Sequence, residues 1–197
     1  MPRDRIISHS MPAHSPAAAK LLVIGYGNTV RQDDQAGPGV AERIEALRLP
    51  GVRTLACAQL APEHAEAVAQ AQAVVFVDAQ AGPQRLGSLQ PVRPGVSLQV
   101  TTHAAEPSTV LALARDVFGH APPGWLLTVP AARFGFGTDL SPLTRRGMDL
   151  AVAEVLRLAQ VPDVCYLGAR FAEEICEDLH PDPIPLINVL GVETHAV

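Results

Sequence analysis

Aromatic side chains are scarce in this sequence: one Trp, two Tyr and five Phe among 197 residues. A core made without them has to rest on Ala, Leu and Val. Cysteine is scarcer still. Cys57, Cys165 and Cys176 form no CxxC pair, which excludes a disulfide framework and a zinc-ribbon spacing. No run approaches the ~18 consecutive apolar residues of a membrane span. The first twenty residues hold neither the apolar stretch of a signal peptide nor a twin arginine. Cytoplasmic residence with no membrane partner is therefore the expectation. HExxH and GxSxG are both missing, which removes the common metalloprotease and serine-hydrolase signatures. With a net charge of −5 and no clustered basic face, the chain is not expected to bind nucleic acid.

What is present suits one globular domain. The chain is 48% apolar and 18% charged, and its length supports a single substantial core. Charge is unevenly placed: residues 161–197 hold one Arg against seven Asp and Glu. Three segments are expected: a disordered leader at 1–19, an α/β body at 20–160, and a flexible acidic extension at 161–197.

The most informative stretch is 21–37, LLVIGYGNTVRQDDQAG. Leu21–Ile24 is an apolar run of the length of a buried central strand. Gly25-Tyr26-Gly27-Asn28 then suits a tight turn or a close backbone approach. Asp33 and Asp34 follow, and Gly37-Pro38 opens a helical pattern carried by Val40, Ile44 and Leu47, with Pro38 at its first position. Strand, glycine turn, acidic loop, helix is the order found where ligands bind in open α/β sheets. As a dinucleotide fingerprint it is poor, since the third glycine is missing.

Further along, 52–57 reads as a strand and 62–70 as a short helix that carries a solvated His64. AVVFVD at 73–78 is a strand buried on both faces and ending in Asp78. A strand at 87–92 precedes a short extended segment at 97–102 that stops at His103. A helix from Pro107 carries Val110, Leu111, Ala114, Val117 and Phe118 as its buried stripe. Trp125–Val129 is the last strand. Ser141-Pro142 caps a final helix whose core face is Met148, Ala151, Val152, Val155 and Leu156. Such alternation implies a single α/β domain: a twisted, mostly parallel sheet with helices on both faces.

Three residues then stand out because each falls just beyond the carboxyl end of an expected strand: Asp34, Asp78 and His103. In a parallel sheet those ends converge on one edge. Two carboxylates and an imidazole suit a borderline divalent ion such as nickel, zinc or cobalt, and three ligands leave positions open for water or substrate. Taken singly, Asp78 reads as readily as a turn cap and His103 as a hydrogen-bonded loop residue. Asp33 is expected to point elsewhere or to support the loop, and Cys57 to be a small buried hydrophobe.

Four segments carry a family likeness. VIGYGNTVRQDDQAGPGVAERIE resembles the opening of the [NiFe]-hydrogenase maturation endopeptidases, whose pattern is roughly IGxGNxLxxDDGxGxxVAExL. AQLAPEHAEAVAQAQAVVFVDAQAG, THAAEPSTVLALARDVFG and WLLTVPAARFGFGTDLSP continue it in family order, so that the likeness spans about residues 20–159. It implies an endopeptidase, listing among its expected attributes an aspartyl-type site, that cuts the C-terminal extension from a [NiFe]-hydrogenase large-subunit precursor once nickel is inserted. It also implies that the substrate's nickel is contacted by Asp34, Asp78 and His103, with Asp34 or Asp78 serving alternatively as general base. Zinc is the expected substitute for nickel. Two departures are visible: Gln32 and Gln35 replace glycines around the acidic pair, and Asp34 stands where many members carry Glu. The Gln35 replacement is expected to restrict the loop, since Gln does not tolerate φ > 0 as Gly does. Two other functions fit the residues less closely: a nickel-checkpoint chaperone of the large subunit that does not cut, and a nucleotide-binding protein using the GYGN turn.

Overall fold

The computed structural model describes residues 19–82, 88–96 and 105–160. Among these residues five strands and four α-helices follow in the order β1 (Leu21–Tyr26), α1 (Ala36–Ala46), β2 (Val52–Cys57), α2 (His64–Ala69), β3 (Val74–Ala81), β4 (Ser88–Val92), α3 (Pro107–Phe118), β5 (Gly124–Ala131) and α4 (Pro142–Ala159). They form one sheet in the order β2-β1-β3-β5-β4. Three pairings are parallel and only β4 runs antiparallel, against β5. No helix among the described residues is long and apolar enough to cross a membrane.

Strand side chains alternate between the two faces, and each face has its own core. Leu21, Val23, Val75, Val77, Trp125, Leu127 and Val129 pack with Val40 and Ile44 of α1 and Met148, Ala151, Val155 and Leu158 of α4. Leu22, Ile24, Val74 and Phe76 face the other way, onto Ala65 and Val68 of α2 and Val110, Leu111 and Ala114 of α3. Strands β1 and β3 are buried on both faces because both layers cover them, which explains their unbroken apolar runs.

Several sequence expectations change in detail. Helix α1 begins two residues before Pro38, because a 3₁₀ turn over Gln32–Gln35 runs directly into it. Val117 and Phe118 are exposed, since α3 ends at Gly119 in a left-handed cap and its last turn overhangs the sheet. Strand β3 continues to Ala81, so Asp78 lies inside it rather than at its end. Ala19, placed in the leader from the sequence, is buried and bridges Ala71. The rest of the leader, the extended segment ending at His103, and the acidic extension from 161 lie outside the described residues.

Candidate functional site

The strand order places a topological switch between β1 and β3: the chain leaves β1 toward β2, then crosses back to lay β3 on its other side. A crevice at the carboxyl ends of such strands is the usual ligand position in open α/β sheets. The register makes this concrete. β1 and β3 pair from Leu22↔Val74 to Gly25↔Val77, whereas β3 stays paired to β5 as far as Ala81↔Ala131. Asp78 is therefore the first residue of β3 with no partner on β1. It is an edge residue although its strand goes on.

Glycine fixes what stands over this crevice. A Cβ on Gly25 would collide with the Gly37 carbonyl oxygen, and one on Gly37 with the carbonyl oxygens of Tyr26 and Val77. Only bare backbone lets the start of α1 rest on the ends of β1 and β3. The sequence shows these glycines, and the structure gives their purpose: a close approach that brings the acidic turn above the crevice.

The two carboxylates of that turn part company. Asp33 is fully buried. One of its oxygens accepts the backbone N–H groups of Ala132 and Arg133, both at 2.9 Å, and the other accepts Ser141 N–H at 2.7 Å. Burial alone would raise its pKa, but these bonds, joined by the Ser141 hydroxyl, outweigh it and lower the value. Asp34 is half-buried, and its Oδ2 accepts the Asn28 N–H at 3.0 Å. Asp33 thus supports the loop, as expected, while Asp34 faces the crevice.

Tyr26 and Asp78 have the parity of Leu22, Ile24, Val74 and Phe76 and so share the α2–α3 face. The Tyr26 hydroxyl donates to the Asp78 carboxylate. Burial pushes the Asp78 pKa up; the Tyr26 and Ala79 hydrogen bonds pull it back, and the charge of Asp34 adds to the rise. Tyr26 is pushed up in turn, first by burial and then by the Asp78 charge, so its proton stays on the phenol. The charge of Glu106, the residue before α3, also reaches Tyr26.

The structure thus brings Asp34 and Asp78 together at one edge. The charge of Asp34 acts on Asp78, and two carboxylates so placed form a donor set whose repulsion a divalent cation would relieve. Among the described residues no third His, Cys, Asp or Glu completes a metal cluster. His103 lies outside them.

Cys57 is half-buried, with its thiol toward the Gly25 carbonyl at 3.9 Å and burial pushing its pKa up, which disfavours the nucleophilic thiolate. His64 is half-buried rather than solvated, and its Nδ1 accepts the Ala61 N–H at 2.9 Å where α2 begins.

Sequence reasoning missed two features. One is Tyr26 as the partner of Asp78; the signal was its position in Gly-Tyr-Gly directly after β1. The other is the seam between the acidic loop and the loop of residues 132–141. Arg31 donates to the Phe134 carbonyl through Nη2 at 3.1 Å, and Gln35 Nε2 to the Thr138 carbonyl at 2.8 Å. Gln32 N–H donates to the Gly137 carbonyl at 2.8 Å, while its Oε1 accepts Gly135 N–H at 3.1 Å. Gln35 has φ −72°, so no left-handed residue is required there; the left-handed position is Gln32, at φ 48°.

No protein-family model and no curated protein matches this sequence. Solved structures do. The [NiFe]-hydrogenase maturation protease HycI of Thermococcus kodakarensis KOD1 is 28% identical, with a TM-score of 0.55 over 71% of this chain and 93% of its own. An endopeptidase from Escherichia coli is 21% identical, with a TM-score of 0.56 over 73% of this chain and 94% of its own. The hydrogenase maturating endopeptidase HybD of E. coli is 19% identical, with a TM-score of 0.55 over the same shares, 73% and 94%. At those identities the two E. coli proteins speak to the fold alone. The architecture in which Asp34 and Asp78 meet is thus the fold of the hydrogenase maturation proteases, to which this chain is structurally similar along most of their length.

Proposed function

We propose that this chain is an endopeptidase that removes the C-terminal extension of a [NiFe]-hydrogenase large subunit after nickel insertion. The observation that carries this reading is the meeting of Asp34 and Asp78 at the β1–β3 switch point of a maturation-protease fold. The nickel belongs to the substrate. Asp34 and Asp78, both half-buried, would contact it, with His103 as the third donor. Nickel in that position supplies Lewis-acid polarisation.

The residues of this chain divide the remaining work. Tyr26 orients Asp78, whose pKa burial raises; where Asp78 does not itself hold the metal, it is the carboxylate suited to act as general base in an aspartyl-type role. Asp34 keeps its position through Asn28. Zinc at the same donors would mimic the substrate's ion.

Co-expression with candidate large-subunit precursors tests the proposal. The expected result is loss of the C-terminal extension by mass, from nickel-loaded but not nickel-free precursor. A stable complex with loaded precursor and no mass loss would instead establish the non-cleaving checkpoint chaperone.

A further inference from the structure

Phe136 is 92% exposed, more than any other large apolar side chain among the described residues. Single exposed apolar residues are ordinary on protein surfaces. This one is unusual in how firmly its backbone is held. On one side Gly135 N–H donates to Gln32 Oε1 at 3.1 Å; on the other Gly137 N–H donates to the Val30 carbonyl at 3.0 Å, and the Gly137 carbonyl accepts Gln32 N–H at 2.8 Å. Two residues away Phe134 takes the Arg31 guanidinium on its carbonyl. Buried Asp33 pins the base of the loop through Ala132, Arg133 and Ser141. An aromatic ring with few torsions, displayed on a fixed backbone, loses little freedom on binding and suits an anchor.

The tip is continuous with the candidate site. Val30, itself 53% exposed, shares the Gly137 bond with the Phe136 loop. Its N–H donates to Asn28 Oδ1 at 3.0 Å, and Asn28 N–H donates to the Asp34 carboxylate. The Phe136 loop is thus tied through Val30 and Asn28 to Asp34, so a macromolecule docked at Asp34 has Val30 and Phe136 in its vicinity. A ring that is 92% exposed has no pocket of its own, so the concavity has to come from the partner, which points toward a folded protein and away from a small molecule. Exposed Arg31 and Arg133 rim the tip and suit acidic groups on such a partner.

From this geometry we infer that Phe136, with Val30 beside it, is a docking anchor that enters an apolar pocket on the folded body of the precursor, next to the segment to be cut. The inference rests on the maturation reading above. It assigns Phe136 to recognition and leaves the chemistry to the carboxylates.

Processing of nickel-loaded precursor is measured for the wild type, Phe136→Ser, and Phe118→Ser as a control. Phe118 is also exposed but lies at the end of α3, near the opposite, amino edge of the parallel strands. For Phe136→Ser the half-saturating precursor concentration should rise about tenfold while the single-turnover rate at saturation stays within about twofold. Its melting temperature should equal that of the wild type, as should both kinetic readings for Phe118→Ser. Unchanged half-saturation in Phe136→Ser, with a wild type that cuts, overturns the docking role and leaves the maturation reading intact. So does a fall confined to the saturating rate, or a wild-type dimer that Phe136→Ser disperses in sedimentation, which would make the tip a self-association surface. A wild type that neither binds nor cuts precursor overturns both.

Discussion

Asp33 and Asp34 are neighbours in sequence that serve opposite regions: a sealed seam between two loops, and an open crevice over the sheet edge. In the seam, one carboxylate collects three backbone N–H donors and is lost from water altogether. In the crevice, the other accepts one such donor and stays half-exposed, within reach of Asp78. Identical side chains thus acquire a structural and a chemical task. What separates them is the 3₁₀ turn over Gln32–Gln35, which points successive residues in different directions. An ionised group with its hydrogen bonds satisfied is stable in burial; one left partly unpaired beside a like charge is poised for a ligand.

The contrast breaks first at the seam. Asp33→Ala strands three backbone N–H groups, of which that of Ser141 is buried; at about 1–3 kcal/mol for a buried unpaired donor and less for the two nearer solvent, a net loss of about 2–4 kcal/mol is expected. A thermal midpoint lowered by roughly 10 °C would express it, with processing lost through disorder of both loops. A midpoint within a degree or two of wild type would show that the seam does not depend on Asp33. The same site carries a pH signature. Because the folded pKa of Asp33 is lowered, its contribution is fully present above the unfolded value of about 3.9 and is lost as pH falls through the folded pKa. The stability gap between wild type and Asp33→Ala should therefore be constant from pH 7 to 5 and narrow only below that range.

The crevice should respond the other way. Asp34→Ala, Asp78→Ala and His103→Ala are each expected to abolish processing, with the two described carboxylates leaving the midpoint nearly unchanged on removal. A second ligand loss should add little to the first. Asp34→Glu should retain more activity than Asp34→Asn, since it keeps the charge. An active Asp34→Asn beside an inactive but well-folded Asp33→Asn would reverse the assignment of the pair.

A smaller effect tests the strain at the crevice. Asp78 has a raised pKa, so its ionised form costs stability above that pKa, and the cost fades as pH falls toward the unfolded value. Asp78→Asn should accordingly be more heat-stable than wild type at pH 7, with the gain shrinking in acid. An equal gain at every pH would mean that charge is not its source.

The smallest effect belongs to Gln32. Its left-handed backbone costs about 1–2 kcal/mol, which glycine would avoid. Glycine would forfeit the side-chain bond to Gly135, worth about 0.5–1.5 kcal/mol, and add unfolded-state freedom worth about 0.4–1 kcal/mol. Denaturant midpoints for Gln32→Gly should therefore lie close to wild type. A large loss would mean that the Gln32 side chain holds the Phe136 loop more strongly than one hydrogen bond accounts for.

Local pattern determined much of this molecule. Apolar runs at 21–24 and 73–78 marked the two central strands because both faces of each are buried, and Ser141-Pro142 marked the start of α4 because its cap, Ser141 Oγ to Thr144 N–H at 3.2 Å, closes within four residues. Asp34 and Asp78 were legible as site candidates from the same logic, since parallel strands gather their carboxyl ends on one edge. Three things were decided only in the folded chain. The Asp33 bonds join residues about a hundred positions apart, which no local period encodes. Exposure of Val117 and Phe118 depends on where α3 leaves the sheet, not on its heptad-like spacing. Above all, Tyr26 meets Asp78 because β1 and β3 pair in one register; a slip of a single residue would turn one of the two to the other face.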